Sequence, residues 1–416
     1  MNNNRETPQK IIACLLIYTH FLAGCVTTGS QNGIIKAGPE LSSSYEEKTI
    51  EAISMGAKLD VIIPVFDPGL SETAENYEED GIWPELRRAE ANRFAYKLKQ
   101  ALDDSNAFAA VRVTPDKTAS GDLYVLGKIE ESNGQDVKFV LNVIDISGKE
   151  WLNKTFKHEV KESFYKNYRS SGTDPYAPVF KQAADKIIDA LKKRSFSELD
   201  DLKYIADLRF GASFNDAIFM EYMNTEGNYF KLVSKPSDND PMLQRVITIR
   251  VREQLFVDSL QQNYASFSQN MGDSYLRWQE ASFTETQLRK EAETKSVMKA
   301  IGGVLLIGLA IAAAVASGDN SSFGTPDSGL ATAAIVGGVA GAWMLSSSFK
   351  SKEEAEFHKG AIDELGESIN IEMAPRVVSF EDETVELTGN IQEQFTQWRE
   401  FLKRIYEQEA TPDTTF

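Results

Sequence analysis

Two cysteines, three histidines and a surplus of carboxylates are what this sequence offers for chemistry. The chain has 416 residues, 62 Asp and Glu against 44 Lys and Arg, and a formal charge of −18. The histidines are His20, His158 and His358, and the cysteines are Cys14 and Cys25. Paired thiols or a His-rich motif would suggest a metal or redox centre, but no C-x-x-C, H-E-x-x-H or G-x-S-x-G is present. Gly121 to Lys128 has the glycine-then-lysine order of a phosphate loop. Its glycines are six apart rather than five, and Ile129 stands where Ser or Thr would hold magnesium. The acidic pairs Glu130-Glu131 and Glu381-Asp382 abut predicted turns, where solvated charge is ordinary. His158 and His358 have no ligand-spaced partner and read as surface residues. The sequence therefore predicts a non-enzyme with no metal and no diffusible cofactor. A hydrolase using two carboxylates stays open on composition alone, without a motif in its favour. The net charge speaks against nucleic acid as a partner.

One cysteine does carry a chemical signal. Arg5 and Lys10 precede a short apolar run, Ile11 to Phe21, followed by Leu22-Ala23-Gly24-Cys25. The apolar run is too short for a stable membrane helix and has the build of a signal peptide. Small residues immediately before a cysteine resemble the processing site of bacterial lipoproteins. That resemblance implies cleavage after Gly24 and a covalent lipid, palmitate among its chains, on Cys25. Val26 stands where an aspartate would retain such a protein at the inner membrane, so the resemblance also implies the periplasmic face of the outer membrane. Residues 25–57 read as the acylated cysteine and a Gly/Ser/Thr-containing tether.

The other unusual stretch is residues 300–349. Ala300 to Gly318 is 19 residues without charge, Asp319 to Asp327 a polar turn, and Ser328 to Phe349 a second uncharged run of 22. Each run matches the ~20 residues a helix needs to cross ~30 Å of hydrocarbon. Small residues recur every fourth position, as in Gly308, Ala312 and Ala316 on the first arm and Ala333, Gly337 and Gly341 on the second. Such rows let helix backbones approach closely in lipid. A membrane hairpin is one solution. A very apolar pair buried in a soluble core or between subunits is the other. The turn carries Asp319 and Asp327 without Lys or Arg, while Lys299, Lys350 and Lys352 flank the arms. With exported flanks, an inner-membrane hairpin would break the positive-inside rule, and an outer-membrane one would not.

The rest of the chain must position these parts. Residues 58–194 predict an α+β layer in the order β-α-β-β-β-β-α. Its strands are Leu59–Phe66, Ala109–Thr114, Asp122–Glu130, Val137–Asp145 and Trp151–Glu159, and its helices are Pro84–Asp104 and one from Asp174-Pro175 to about Lys193. Asn133-Gly134 and Ser147-Gly148 are hairpin turns. The segment Asp122 to Ile129, with Val125-Leu126-Gly127-Lys128-Ile129, then Phe139 to Ile146, then Ser147-Gly148-Lys149-Glu150, is similar to the core of curli-secretion-type envelope assembly lipoproteins. The resemblance implies the fold of 58–194 and an envelope role. No alternating strand inserts of the kind that build that family's barrel are present, so it implies neither a β-channel nor functional residues.

Residues 195–299 predict helices, with Ser197/Asp200 and Ser213/Asp216 as capping pairs, Asp240-Pro241 as a strong start, and a further helix from about Glu280. Tyr264, Phe267, Tyr275 and Trp278 predict core packing. In residues 350–408, Lys352–Asn370 predicts a helix with Phe357, Ala361, Leu365 and Ile369 on one face, paired antiparallel with the helix before Ala300. A β-hairpin around Glu381-Asp382 follows. The last helix repeats Ile391, Phe395, Trp398, Leu402 and Ile405, a seam for the chain's own helices or for a neighbouring subunit. Residues 409–416 predict a polar tail. The whole predicts an outer-membrane lipoprotein whose partners are membrane lipid and copies of itself, with an envelope protein possible. It would form an assembly with the hairpins as anchor, plug or pore. The alternative is a periplasmic adaptor or regulator of a cell-wall or envelope enzyme.

Overall fold

The computed structural model of the chain describes residues 58–71, 77, 82–214, 216–294, 352–380 and 383–410. The signal peptide, Cys25, the tether, the uncharged runs of 300–349 and the last six residues lie outside them.

The fold is α+β, built on a five-stranded sheet. Strand β1 (Asp60–Pro64) leads through helix α1 (Pro84–Asp103) to β2 (Ala110–Thr114). Strands β3 (Leu123–Ser132), β4 (Asp136–Asp145) and β5 (Glu150–Glu159) follow as an antiparallel meander. The order is β2-β1-β3-β4-β5, with β1 parallel to both neighbours. Alternation explains the layer. In β4 the residues Val137, Phe139, Leu141 and Val143 are buried while those between are half-exposed. Phe139 meets Phe66, Phe94, Phe156 and Phe180 with ring centroids 5.5–6.1 Å apart. Each such ring is worth about 2–3 kcal/mol of burial. Phe94 comes from α1 and Phe180 from α2 (Ala177–Leu191), so two helices close one face of the sheet.

Gly127 shows why the strand motif needs glycine. A Cβ there would stand 2.5 Å from the Phe66 ring, which lies across β3 at that point. The stretch read against a phosphate loop is thus the start of a core strand. Tyr124 closes it by donating to the Ala119 carbonyl and accepting from the Gly121 amide.

Helix α3 (Phe196–Ala212) begins at Ser195, not at the Ser197/Asp200 pair. Ser195 and Glu198 form a reciprocal capping box. A small hairpin, β6 (Met223–Glu226) and β7 (Tyr229–Leu232), precedes α4 (Pro241–Asn270). Asp240 caps α4 as its sequence suggests, accepting from the amides of Met242 and Leu243. Helix α4 runs along the outer edge of β2, where the Gln261 side-chain amide accepts from the Val113 amide at 2.9 Å and donates to its carbonyl at 2.8 Å. Helix α5 (Gly272–Thr294) starts eight residues earlier than Glu280, directly after α4.

Helix α6 (Lys352–Gly366) packs Leu365 of the expected face against the core, with Ile369 just beyond its end, but not Phe357. Ile362 is fully buried, whereas Phe357 is 70% exposed. The reason is where α1 begins. Trp83, just before its first turn, donates to Asp363, which fixes the Ile362 side of α6 on α1. Helices α5 and α6 do touch, through Ser274 and His358 at 3.0 Å. The later turns of α5 pack instead on the β3–β4 turn, where Ser282 and Thr286 donate to the Asn133 carbonyl and Lys290 pairs with Asp136. Strands β8 (Arg376–Phe380) and β9 (Glu383–Leu387) form the expected hairpin, and α7 (Ile391–Ala410) ends the described fold. The α7 seam packs on its own chain, with Phe256 of α4 stacked on Phe395 and Trp398.

Candidate functional site

Buried charge organises this fold at two places. The first lies between α1, α5 and the start of α2. Glu90 on α1 is fully buried and accepts from Ser132 and, at 2.7 Å, from the Tyr275 hydroxyl, with Arg87 3.4 Å away. Burial pushes its carboxyl above the ordinary value, against the pull of Arg87. One helical turn on, Arg93 pairs with Asp174 at 2.9 Å, donates to the Ser268 carbonyl and covers the Tyr275 ring at 4.6 Å. For Asp174 burial acts upward, but the Arg93 charge, the Tyr176 amide and Lys97 outweigh it and hold the carboxyl below its ordinary value.

The second place is the opposite end of the sheet. Asp122 opens β3 with no exposure and accepts from the Asp60 amide at 2.8 Å. Arg250 of α4 bridges Asp122 at 3.1 Å and Asp207 of α3 at 2.7 Å. Burial alone would lower the Arg250 pKa, yet the two carboxylates raise it above the ordinary value. Glu253, one turn on, accepts from the Ser120 amide and pairs with Arg399 of α7 at 3.3 Å. These charges join three helices to the sheet, and each is matched by an opposite charge or a donor. Removing one partner from such a pair costs about 3–5 kcal/mol. Nothing in this arrangement presents a nucleophile beside an open base. Among the described residues no group of three or more His, Cys, Asp or Glu is placed to hold a metal ion.

Beside the first network lies a groove of about 680 Å³, lined by the 164–175 segment on one side and by Asp273, Arg277, Glu280 and His358 on the other. Its wall is rigid. Phe164 is buried, Ser170 Oγ donates to the carbonyls of Phe164 and Asn167, Thr173 Oγ1 donates to the Ser170 carbonyl, and the Asn167 side chain caps the short turn Tyr168–Ser170. Tyr165 leans on Phe283 at 4.9 Å, and burial raises its hydroxyl pKa. Tyr168 on the rim is 93% exposed, although the turn that carries it is fixed.

The histidines part company with the surface expectation. His158 on β5 is buried, hydrogen-bonds the Pro175 carbonyl, and burial lowers its pKa to about 4. His358 is half-buried in the groove, bonded to Ser274 and edge-on to Phe357. Cys25 and the small-residue rows Gly308, Ala312, Ala316, Ala333, Gly337 and Gly341 lie outside the described residues. Among the described residues no helix is long and apolar enough to cross a membrane. Sequence reading passed over Glu90, Asp122, Arg250 and Glu253. The available signal was a charge on an apolar stripe: Glu90 stands midway between Leu86 and Phe94, and Glu253 midway between Ile249 and Val257. No family model, curated protein or solved structure matches this chain.

Proposed function

We propose that the chain is a non-enzymatic outer-membrane lipoprotein, tethered by an acylated Cys25, that assembles with copies of itself into an envelope complex. Residues 300–349 would lie in the bilayer as anchor, plug or pore. The observation that carries this reading is how the two helices bordering that stretch are fastened. Both dock on α1. On one side α5 is held by Glu90–Tyr275 and by Arg93 over the Tyr275 ring. On the other, Trp83 donates to Asp363, Arg88 to the Gly366 carbonyl and Asn92 to the Ile369 carbonyl. The uncharged stretch is thus inserted between two helices locked to the α+β layer, so that a load on the stretch is carried into the body on both sides. The Leu22-Ala23-Gly24-Cys25 signal and the 19- and 22-residue uncharged runs supply the membrane side.

Radiolabelled palmitate incorporation into the parent and into Cys25→Ser tests the tether, and the label should vanish in the variant. Chemical cross-linking of the detergent-extracted parent should give discrete oligomers, and a purely monomeric population would refute the assembly. Deleting 300–349 separates this reading from that of an adaptor for an envelope enzyme. An adaptor keeps its partner after the deletion, whereas an assembly built through the hairpins dissociates.

A further inference from the structure

We propose that the rim of the groove, led by Tyr168 and Phe357, lies in the phospholipid headgroup layer and docks the α+β body flat against the bilayer that holds its own hairpin. The proposal rests on reading 300–349 as membrane-embedded.

Three observations place the rim at that boundary. Phe357 follows Phe349, the end of the second uncharged run, by eight residues. Even a fully extended chain puts it within about 28 Å of that end, and a helix within about 12 Å. Phe357 sits edge-on to His358, and His358 shares the groove with Tyr168. On the side of the first run, the last turns of α5 pack on the β3–β4 turn. That turn belongs to the same end of the layer, since the Gly134 amide donates to Tyr176 and Pro175 lines the groove. Both helices that border 300–349 therefore place described residues in or beside the groove, α5 through Asp273, Arg277 and Glu280 and α6 through His358.

The side chains there have the chemistry of a headgroup layer. Tyr168 is 93% and Phe357 70% exposed, and neither is floppy, since Tyr168 rides on a hydrogen-bonded turn and Phe357 on α6. Aromatic rings settle at the boundary between headgroups and acyl chains, where one side is apolar and the other wet. Charge does not oppose the approach. Near the rim the exposed Lys161, Lys166, Arg169 and Arg277 stand with the exposed Glu162, Asp273, Glu280 and Glu356, so the two signs are evenly mixed there, with Lys166 paired to Glu162.

The test uses the full acylated chain reconstituted in phosphatidylethanolamine–phosphatidylglycerol vesicles. Single nitroxide labels are placed at Ser171→Cys and Glu356→Cys beside the two rings, at Glu226→Cys on the distant β6–β7 hairpin, and at Ala340→Cys within the second run. Collision with oxygen and with a water-soluble nickel chelate reports depth. The expected result is hydrocarbon depth at Ala340, headgroup depth at Ser171 and Glu356, and water at Glu226. Adding Tyr168→Ser and Phe357→Ser should return the two rim labels to water values while Ala340 stays deep. Rim labels that match Glu226 while Ala340 is deep overturn the docking and leave the membrane hairpin standing. An Ala340 label in water overturns both.

Discussion

His158 lies on β5 beside the start of α2, 8% exposed, with its ring donating to the Pro175 carbonyl. Burial lowers its pKa from the ordinary 6.5 to about 4, because Asp136 and Asp174 are too weak to offset desolvation of the charged ring. The folded ring therefore stays neutral where the unfolded one takes up a proton. Stability from this site is present above pH 6.5 and is lost as pH falls from there towards 4, the window set by the two values. Between about pH 7 and pH 5 the unfolded chain gains about three-quarters of a proton and the folded chain almost none. At ~1.4 kcal/mol per pH unit over ~1.5 units, the loss is about 2 kcal/mol, roughly thirtyfold in the folding equilibrium. Glu90, Glu253 and Asp207 act with the opposite sign, since burial raises their carboxyls and acid favours their folded form. A comparison with His158→Gln cancels them. Urea unfolding of the detergent-solubilised chain, followed by tryptophan fluorescence at both pH values, should show the parent losing about 2 kcal/mol more than the variant. Equal losses would refute the argument, as would a His158 resonance titrating above pH 6 in the folded protein.

Other consequences are equally open to measurement. Arg250→Met leaves the buried Asp122 carboxylate without its main partner and should cost about 3–5 kcal/mol, read as a drop in the urea midpoint. Pairing it with Asp122→Asn and Asp207→Asn should recover a large part of that loss, and no recovery would mean that the charges are not what the site pairs. Gly366→Ala would set a Cβ 1.9 Å from the Glu85 carbonyl, prying α6 from α1. Proteolysis at 352–370 should accelerate in that variant, while the meander of β3 to β5 keeps its amide protection. Unchanged cleavage would show that the α1–α6 contact is not what holds the helix.

What the sequence made legible follows local rules. The Asn133-Gly134 and Ser147-Gly148 turns, with Gly134 and Gly148 at positive φ, fixed the meander. Asp240 before Pro241 fixed the start of the longest described helix, and the three-four spacing of Phe395, Trp398 and Leu402 fixed the buried face of α7. The misses share a cause. Ser195 and Ser197 both stand three residues before an acid, and only the point where the chain leaves α2 chooses between them. Phe357 has helical spacing with Leu365, but α6 docks on α1 through Asp363 and Gly366, six and nine residues further on. His158 read as a surface residue because the Pro175 carbonyl it bonds is 17 residues away in sequence, and Glu90 was passed over because Tyr275, which donates to it, is 185 residues away. The candidate site was less legible than the fold: the groove is assembled from the 164–175 segment, α5 and α6, none of which carries a motif alone.

The Gln261 amide on β2 constrains how copies can meet. It mimics a neighbouring strand by filling both the donor and the acceptor of Val113, so α4 seals that border of the sheet at its middle. At the other border β5 presents Lys154 and Lys157, the kind of side chain that deters strand addition. Under the proposed assembly, copies would therefore not be zipped together through a continuous intersubunit sheet. In that assembly neighbours would join through helix faces or within the lipid, and detergent choice would separate them where agents that break backbone pairing would not.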